Sequence, residues 1–175
     1  MSKRLLVVLV SFLALLVTCS AASALLSVSV LASNMSLSSR SSSSPVSVTG
    51  VGARVELPIL FFCETNVEAI MYNYQSGSYS CQIVPITLNL EFGIPTTPLY
   101  LGVGGGPTMI SWSGSSSSPT NLLNYHAYLG YQRQFAPLSS YFLQAGYEVI
   151  TMQSDTTLSN GISGLGFKAG LTFGI

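Results

Sequence analysis

Residues 162–175 read ISGLGFKAGLTFGI. From Ser163 onward, Leu165, Phe167, Ala169, Leu171, Phe173 and Ile175 take every second position. Gly164, Gly166, Lys168, Gly170, Thr172 and Gly174 fill the places between. Side chains alternate between the two faces of a strand, so this segment is a strand with one apolar face and one small or polar face. A face of glycines and single polar groups suits a narrow, crowded barrel interior whose outside is lipid.

The pattern recurs upstream. Val84, Ile86, Leu88, Leu90 and Phe92 alternate with Pro85, Thr87, Asn89 and Glu91. Ala127, Leu129 and Tyr131 alternate with His126, Tyr128, Gly130 and Gln132. Counting back from the C-terminus places strands near 162–175, 139–151, 122–135, 98–111, 79–92, 60–74 and 45–57. Seven strands need an eighth, and 25–32 (LLSVSVLA) supplies it, with Leu26, Val28 and Val30 alternating with Ser27 and Ser29. Pro58 and the run after it blur the period over 57–70. Connections alternate too: Gly93 to Pro98 and Ala136 to Ser140 are short, Thr108 to Asn121 is long and serine-rich, and Gln153 to Gly161 is intermediate. Short turns at one end and longer loops at the other fit a spanning barrel. The run Ser36 to Ser44 reads as a low-complexity loop.

Composition narrows the class. The chain has 175 residues, one domain's worth, and only 7% are charged, against about a quarter in soluble proteins. Its one long apolar run, Leu5 to Val17, falls short of the roughly 20 residues a spanning helix needs. Lys3 and Arg4 precede that run, and Ala22-Ser23-Ala24 follows it. The expectation is a secretory signal peptide over 1–24 and a barrel over 25–175. An uncleaved anchor helix and a lipoprotein signal ending at Cys19 are the competing readings. Beyond residue 24, four basic side chains (Arg40, Arg54, Arg133, Lys168) face six acidic ones, a balance of −2. No basic patch exists, so nucleic acid is not an expected partner. Cys63 and Cys81 fit no zinc or redox spacing. Parity sends Cys63 toward lipid and Cys81 toward the lumen, so two free thiols are expected.

The segments PITLNLEFGIPTTPLYLGVGGGP (85–107), YLGYQRQF (128–135), YFLQAGYEV (141–149) and the terminal strand together resemble the small outer-membrane β-barrel superfamily of the OmpA/OmpX type. The likeness spans roughly 46–175. It implies an all-β fold: an eight-stranded antiparallel up-and-down transmembrane barrel, with both termini in the periplasm, behind a cleavable signal peptide. The terminus resembles the sorting signal read by the barrel-assembly machinery, with Lys168, Gly170, Phe173 and Ile175 in its places. Ile175 stands where an aromatic residue is usual. Expected partners are therefore outer-membrane lipid and that machinery; the sequence names no surface ligand.

Parity turns Arg54, Glu56, Glu64, Glu68, Glu91, Glu148 and Lys168 into the lumen, five acids against two bases. Buried charges need partners. A polar network holding the barrel shut is the bland reading, and a water-filled, cation-preferring path is the sharp one. An interior of eight strands is only wide enough for side chains, which favours the network. His126 is the single histidine and has lumen parity, which suits a hydrogen-bonded structural role better than a hydrolytic one. No catalytic set, cofactor site or metal site is expected. Tyr72, Tyr74, Tyr79, Trp112 and Tyr125 fall near loop ends, and Phe92, Phe135, Tyr141 and Phe173 near turn ends, as two interfacial belts would. Arg133 has lipid parity beside a turn, where it could snorkel. The expected role is structural, anchoring or surface-interacting. A narrow channel or an envelope-lipid-modifying enzyme are the alternatives.

Overall fold

A computed structural model describes residues 26–39, 45–60, 62–76, 79–113, 120–152 and 162–174. The expected segment 1–24, the stretch 153–161 and Ile175 lie outside the described residues. Eight strands form: β1 (Ser27–Ser39), β2 (Val46–Leu60), β3 (Cys63–Ser76), β4 (Tyr79–Gly93), β5 (Leu99–Ser113), β6 (Thr120–Ala136), β7 (Ser139–Met152) and β8 (Ile162–Gly174). Each pairs antiparallel with its neighbour in sequence, and β1 closes on β8. Closure leaves no unpaired edge, the condition for a sheet to satisfy its backbone in lipid. Among the described residues no helix is long and apolar enough to cross a membrane.

The start of β1, the end of β8 and three short turns share one end of the barrel, the turn end. At that end the Gly174 amide donates to the Leu138 carbonyl at 2.7 Å, which ties the β6–β7 turn to the last strand. The other four connections share the opposite, loop end. Several boundaries differ from the sequence reading. β1 is longer than 25–32, and Ser36 to Ser39 belongs to it rather than to a loop. β2 runs through Pro58 to Leu60, with a register shift there, so the turn falls after the irregular segment. Proline tolerates this place because the strand ends at the barrel rim. β5 and β6 also extend beyond 98–111 and 122–135.

The register fixes the barrel's shape. Leu101 pairs with Leu129, then come Ala145, Phe167, Asn34, Thr49, Asn73, Gln82 and Ser111. The path leaves β5 at Leu101 and returns to it at Ser111, ten residues on. Such a stagger over eight strands tilts them by about 40° from the axis.

One feature of the pattern was hidden in the sequence. On β1 to β4 the apolar face changes sides part-way along each strand. Toward the turn end, Val30, Val55, Val67 and Leu88 point out while Ser29, Arg54, Asn66 and Asn89 point in. Toward the loop end, Met35, Val48, Tyr72 and Ile83 point in while Asn34, Thr49, Asn73 and Gln82 point out. The lower half therefore has the plan of a membrane barrel, and the upper half that of a water-facing barrel with an apolar core. The outward residues at the change, Asn34, Thr49, Asn73, Gln82 and Ser111, are successive partners in one cross-strand row.

Below that row the outside is an apolar band. Val30, Val51, Leu88, Leu101, Leu129, Leu143 and Phe167 are each about half exposed. Water would penalise so much contiguous apolar surface, whereas hydrocarbon would not. Tyr125 and Tyr147 lie outward toward its upper edge, and Phe92, Phe135 and Phe173 toward its lower edge. Tyr72 and Tyr74 leave the expected belt: Tyr72 is fully buried inside and Tyr74 packs beside it in the core. The side chains of Tyr79 and Trp112 lie outside the described set.

Candidate functional site

The lumen is filled in two storeys. The lower storey begins with Arg54 on β2, which is 1% exposed. Its Nε donates to Glu56 Oε1 at 2.8 Å, and its Nη1 donates to Glu91 Oε1 at 2.9 Å. Its Nη2 stands 2.8 Å from Glu56 Oε1, close enough to count as an ion pair without a well-directed hydrogen bond. The guanidinium lies 4.1 Å from the Phe142 ring centre, so one face is covered by an aromatic ring. Glu91 Oε1 also accepts from Tyr128 at 2.7 Å, Asn66 at 2.9 Å and Gln144 at 3.3 Å. Ser29 donates to Glu56 at 2.6 Å. A buried carboxylate with so many donors is held in place by charge-assisted bonds.

A second cluster surrounds Lys168 on β8. Its Nζ donates to Glu68 Oε1 at 2.6 Å and stands 3.5 Å from Glu148 Oε1. The two clusters are joined through His126. Asn66 accepts from Asn89 at 2.7 Å, and Asn89 Oδ1 meets His126 Nε2 at 2.8 Å. His126 Nδ1 meets Asn124 Oδ1 at 3.1 Å, and Asn124 donates to Glu148 at 3.3 Å. A continuous chain of polar contacts thus runs from Glu91 to Glu148. Both histidine nitrogens are occupied by asparagine side chains, and among the described residues no serine or cysteine stands at hydrogen-bond distance from either. The place has the makings of a structural joint between the two clusters.

Glycines make room for these side chains. Tyr100 pairs with Gly130, and Gly102 with Tyr128. Each tyrosine ring occupies the space that a Cβ on the opposite glycine would need. The crossed pair brings Tyr128 to Glu91 and Tyr100 to Gln144, which donates to the Tyr100 hydroxyl at 2.9 Å.

Six of the seven predicted lumen residues are thus brought together: Arg54, Glu56, Glu68, Glu91, Glu148 and Lys168. Glu64 is corrected. It is exposed at the turn end, where it helps line a vestibule of about 260 Å3 with Glu56, Gln132 and Thr172. Its strand has only just begun there, so inward parity leads to the mouth and not to the network. Cys63 is also corrected, being buried rather than presented to lipid. Cys81 is buried in the core near the other end, and both thiols are free. Of the expected sorting residues, Lys168 is the buried cation of the second cluster, Gly170 abuts the Phe142 ring, and Phe173 faces outward.

The upper storey was missed by the sequence reading. Met35, Leu37, Val48, Ile70, Tyr72, Ile83, Ile110, Leu122 and Ile150 are buried together inside the barrel. The signal that could have found it is the period-two pattern on 35–39, 46–49, 70–74 and 80–83, read with apolar side chains inward.

No protein-family model matches the chain, and no curated protein sequence does. Solved structures do match. Neisserial surface protein A (NspA) is 18% identical over 86% of this chain and 97% of its own, with a TM-score of 0.59. The N-terminal β-barrel domain of Pseudomonas aeruginosa OprF is 16% identical over 84% and 97%, with a TM-score of 0.56. Ail, the attachment invasion locus protein of Yersinia pestis, is 16% identical over 86% and 99%, with a TM-score of 0.53. The fold is that of the small eight-stranded outer-membrane β-barrels.

Proposed function

We propose that this chain is an integral outer-membrane protein whose barrel is a closed anchor and whose loop end meets the surroundings of the cell. The observation that carries this reading is the apolar upper storey. A conducting path would have to pass Met35, Tyr72, Ile83 and Leu122, whose packing offers an ion no partner. The lower storey is equally unsuited to transport, because its charges are committed to one another. Membrane residence is supported by the exposed apolar band and by closure of the sheet. Delivery by the barrel-assembly machinery follows from the resemblance of Lys168, Gly170, Phe173 and Ile175 to its signal. We infer no catalytic role, since His126 is locked between two asparagines.

Ail has been captured with the heparin analogue sucrose octasulfate, a polyanion. Among the described residues of this chain, the outward loop-end half carries no cation, so an uncharged or apolar surface partner fits better. The test is planar-bilayer recording of the refolded chain. No steady conductance is expected. Sustained openings that shrink in Glu68→Gln or Glu148→Gln would replace the anchor reading with a channel.

A further inference from the structure

A trough of about 890 Å3 runs across the outside of the barrel. It lies between two adjacent cross-strand rows and so climbs with the tilt of the hydrogen bonds. Ala145, Ala169 and Ala32 keep its floor low, and Leu143 and Phe167 rise beside them. Over this length its outward-facing side chains are apolar and it sits within the band. Its upper end is different: there Asn34, Thr49 and Asn73 form one wall, while Val51 and Met71 continue the apolar wall opposite. Asn73 also opens a second outward groove of about 400 Å3, lined by Gln75, Ser80, Gln82 and Ser111.

The occupant of such a surface must be apolar along one stretch and hydrogen-bonding at one end. Resting on the outer-membrane reading, we propose that the trough holds a glycolipid of the outer leaflet. An acyl chain would lie over Ala145, Ala169 and Ala32, and an uncharged saccharide head would lie on the Asn34–Thr49–Asn73–Gln82 row. Carboxamides and hydroxyls carry both donors and acceptors, as sugar hydroxyls do. Asn34 bonds Ser47 at 3.2 Å and Gln82 reaches Asn73 at 3.5 Å, which among the described residues leaves most of their capacity free. A phosphate head would call for arginine or lysine, and the row has none. Plain water-facing surface would carry charge at about a quarter of positions. The outward residues from Ser80 to Gln82 and from Asn73 to Gln75 carry none.

The test uses the refolded full chain in phosphatidylcholine nanodiscs doped with monoglucosyl diacylglycerol, phosphatidylglycerol or neither. Native mass spectrometry counts the lipids retained on the released barrel. One retained glucosyl lipid is expected, preferred at least tenfold over phosphatidylglycerol. Thr49→Val with Asn73→Leu removes the polar end at little cost in volume, and retention should fall about tenfold. Ala169→Leu fills the floor and should do the same. Equal retention of phosphatidylglycerol, or wild-type retention in the Thr49→Val/Asn73→Leu chain, would overturn the proposal. So would displacement of the lipid by free methyl glucoside, which would assign the row to soluble glycan. Boiled and unboiled electrophoresis of each sample reports whether the barrel is folded, so failure of the barrel reading is seen separately.

Discussion

Replacing Arg54 by methionine tests the account of the lumen most directly. The change keeps most of the side-chain volume, so a cavity contributes little. It leaves Glu91, 3% exposed, with Tyr128, Asn66 and Gln144 as neutral donors and no cation. Removing one partner of a buried pair costs about 3–5 kcal/mol. Glu56 adds less, because Ser29 still donates to it and the vestibule beside it admits water. Loss of the contact with Phe142 adds about 1 kcal/mol. The expected loss is therefore about 5 kcal/mol, measured by guanidinium unfolding of the refolded barrel in lipid vesicles and followed by the single tryptophan. Glu91→Gln should be harmful alone yet recover about half of that loss beside Arg54→Met. A loss below about 1 kcal/mol, or further loss on adding Glu91→Gln, would refute the claim that Arg54 neutralises a buried carboxylate.

Two further outcomes follow from the packing. Gly130→Ala places a methyl group where the Tyr100 ring lies, and should cost about 2–3 kcal/mol in the same unfolding assay; Tyr100→Leu in the same chain should return part of it. Leu88→Arg, at a position 59% exposed within the apolar band, should cost about 2–4 kcal/mol in vesicles, whereas Gln82→Arg, above the polar row, should cost under about 1 kcal/mol. Equal effects at Leu88 and Gln82 would mean that lipid does not distinguish the two heights.

The strand order and the lower storey were legible because each strand there keeps a single parity over enough residues to be read, as Val84 to Phe92 does. The charged groups could be assigned to the inside on that parity alone, Glu64 excepted. The upper storey was not legible, because the reading assumed that apolar meant outward along the full strand. In β1 the pattern passes from Val28 and Val30 outward to Met35 and Leu37 inward, and across the change it looks like no pattern at all. The serines that follow, Ser36, Ser38 and Ser39, read as low-complexity loop for the same lack of an outward apolar face. The ion pairs inside the network depend on which inward residues share a height. That follows from a ten-residue stagger that a single sequence does not display.

The slope of the polar row has a mechanical consequence for the bilayer. From Asn34 on β1 to Ser111 on β5 the row crosses four strand steps, and at a tilt of about 40° it rises by roughly 12 Å. The hydrophobic girdle is therefore shallow beside β1 and deep beside β5. A flat membrane of constant thickness cannot match both sides. Either the barrel leans or the leaflet thins beside β1 and β2, each at a cost of fractions of a kcal/mol per Å of mismatch. Hydrophobic mismatch would then give this small, nearly cylindrical protein a front and a back, and would draw shorter-chain lipids to one flank of it.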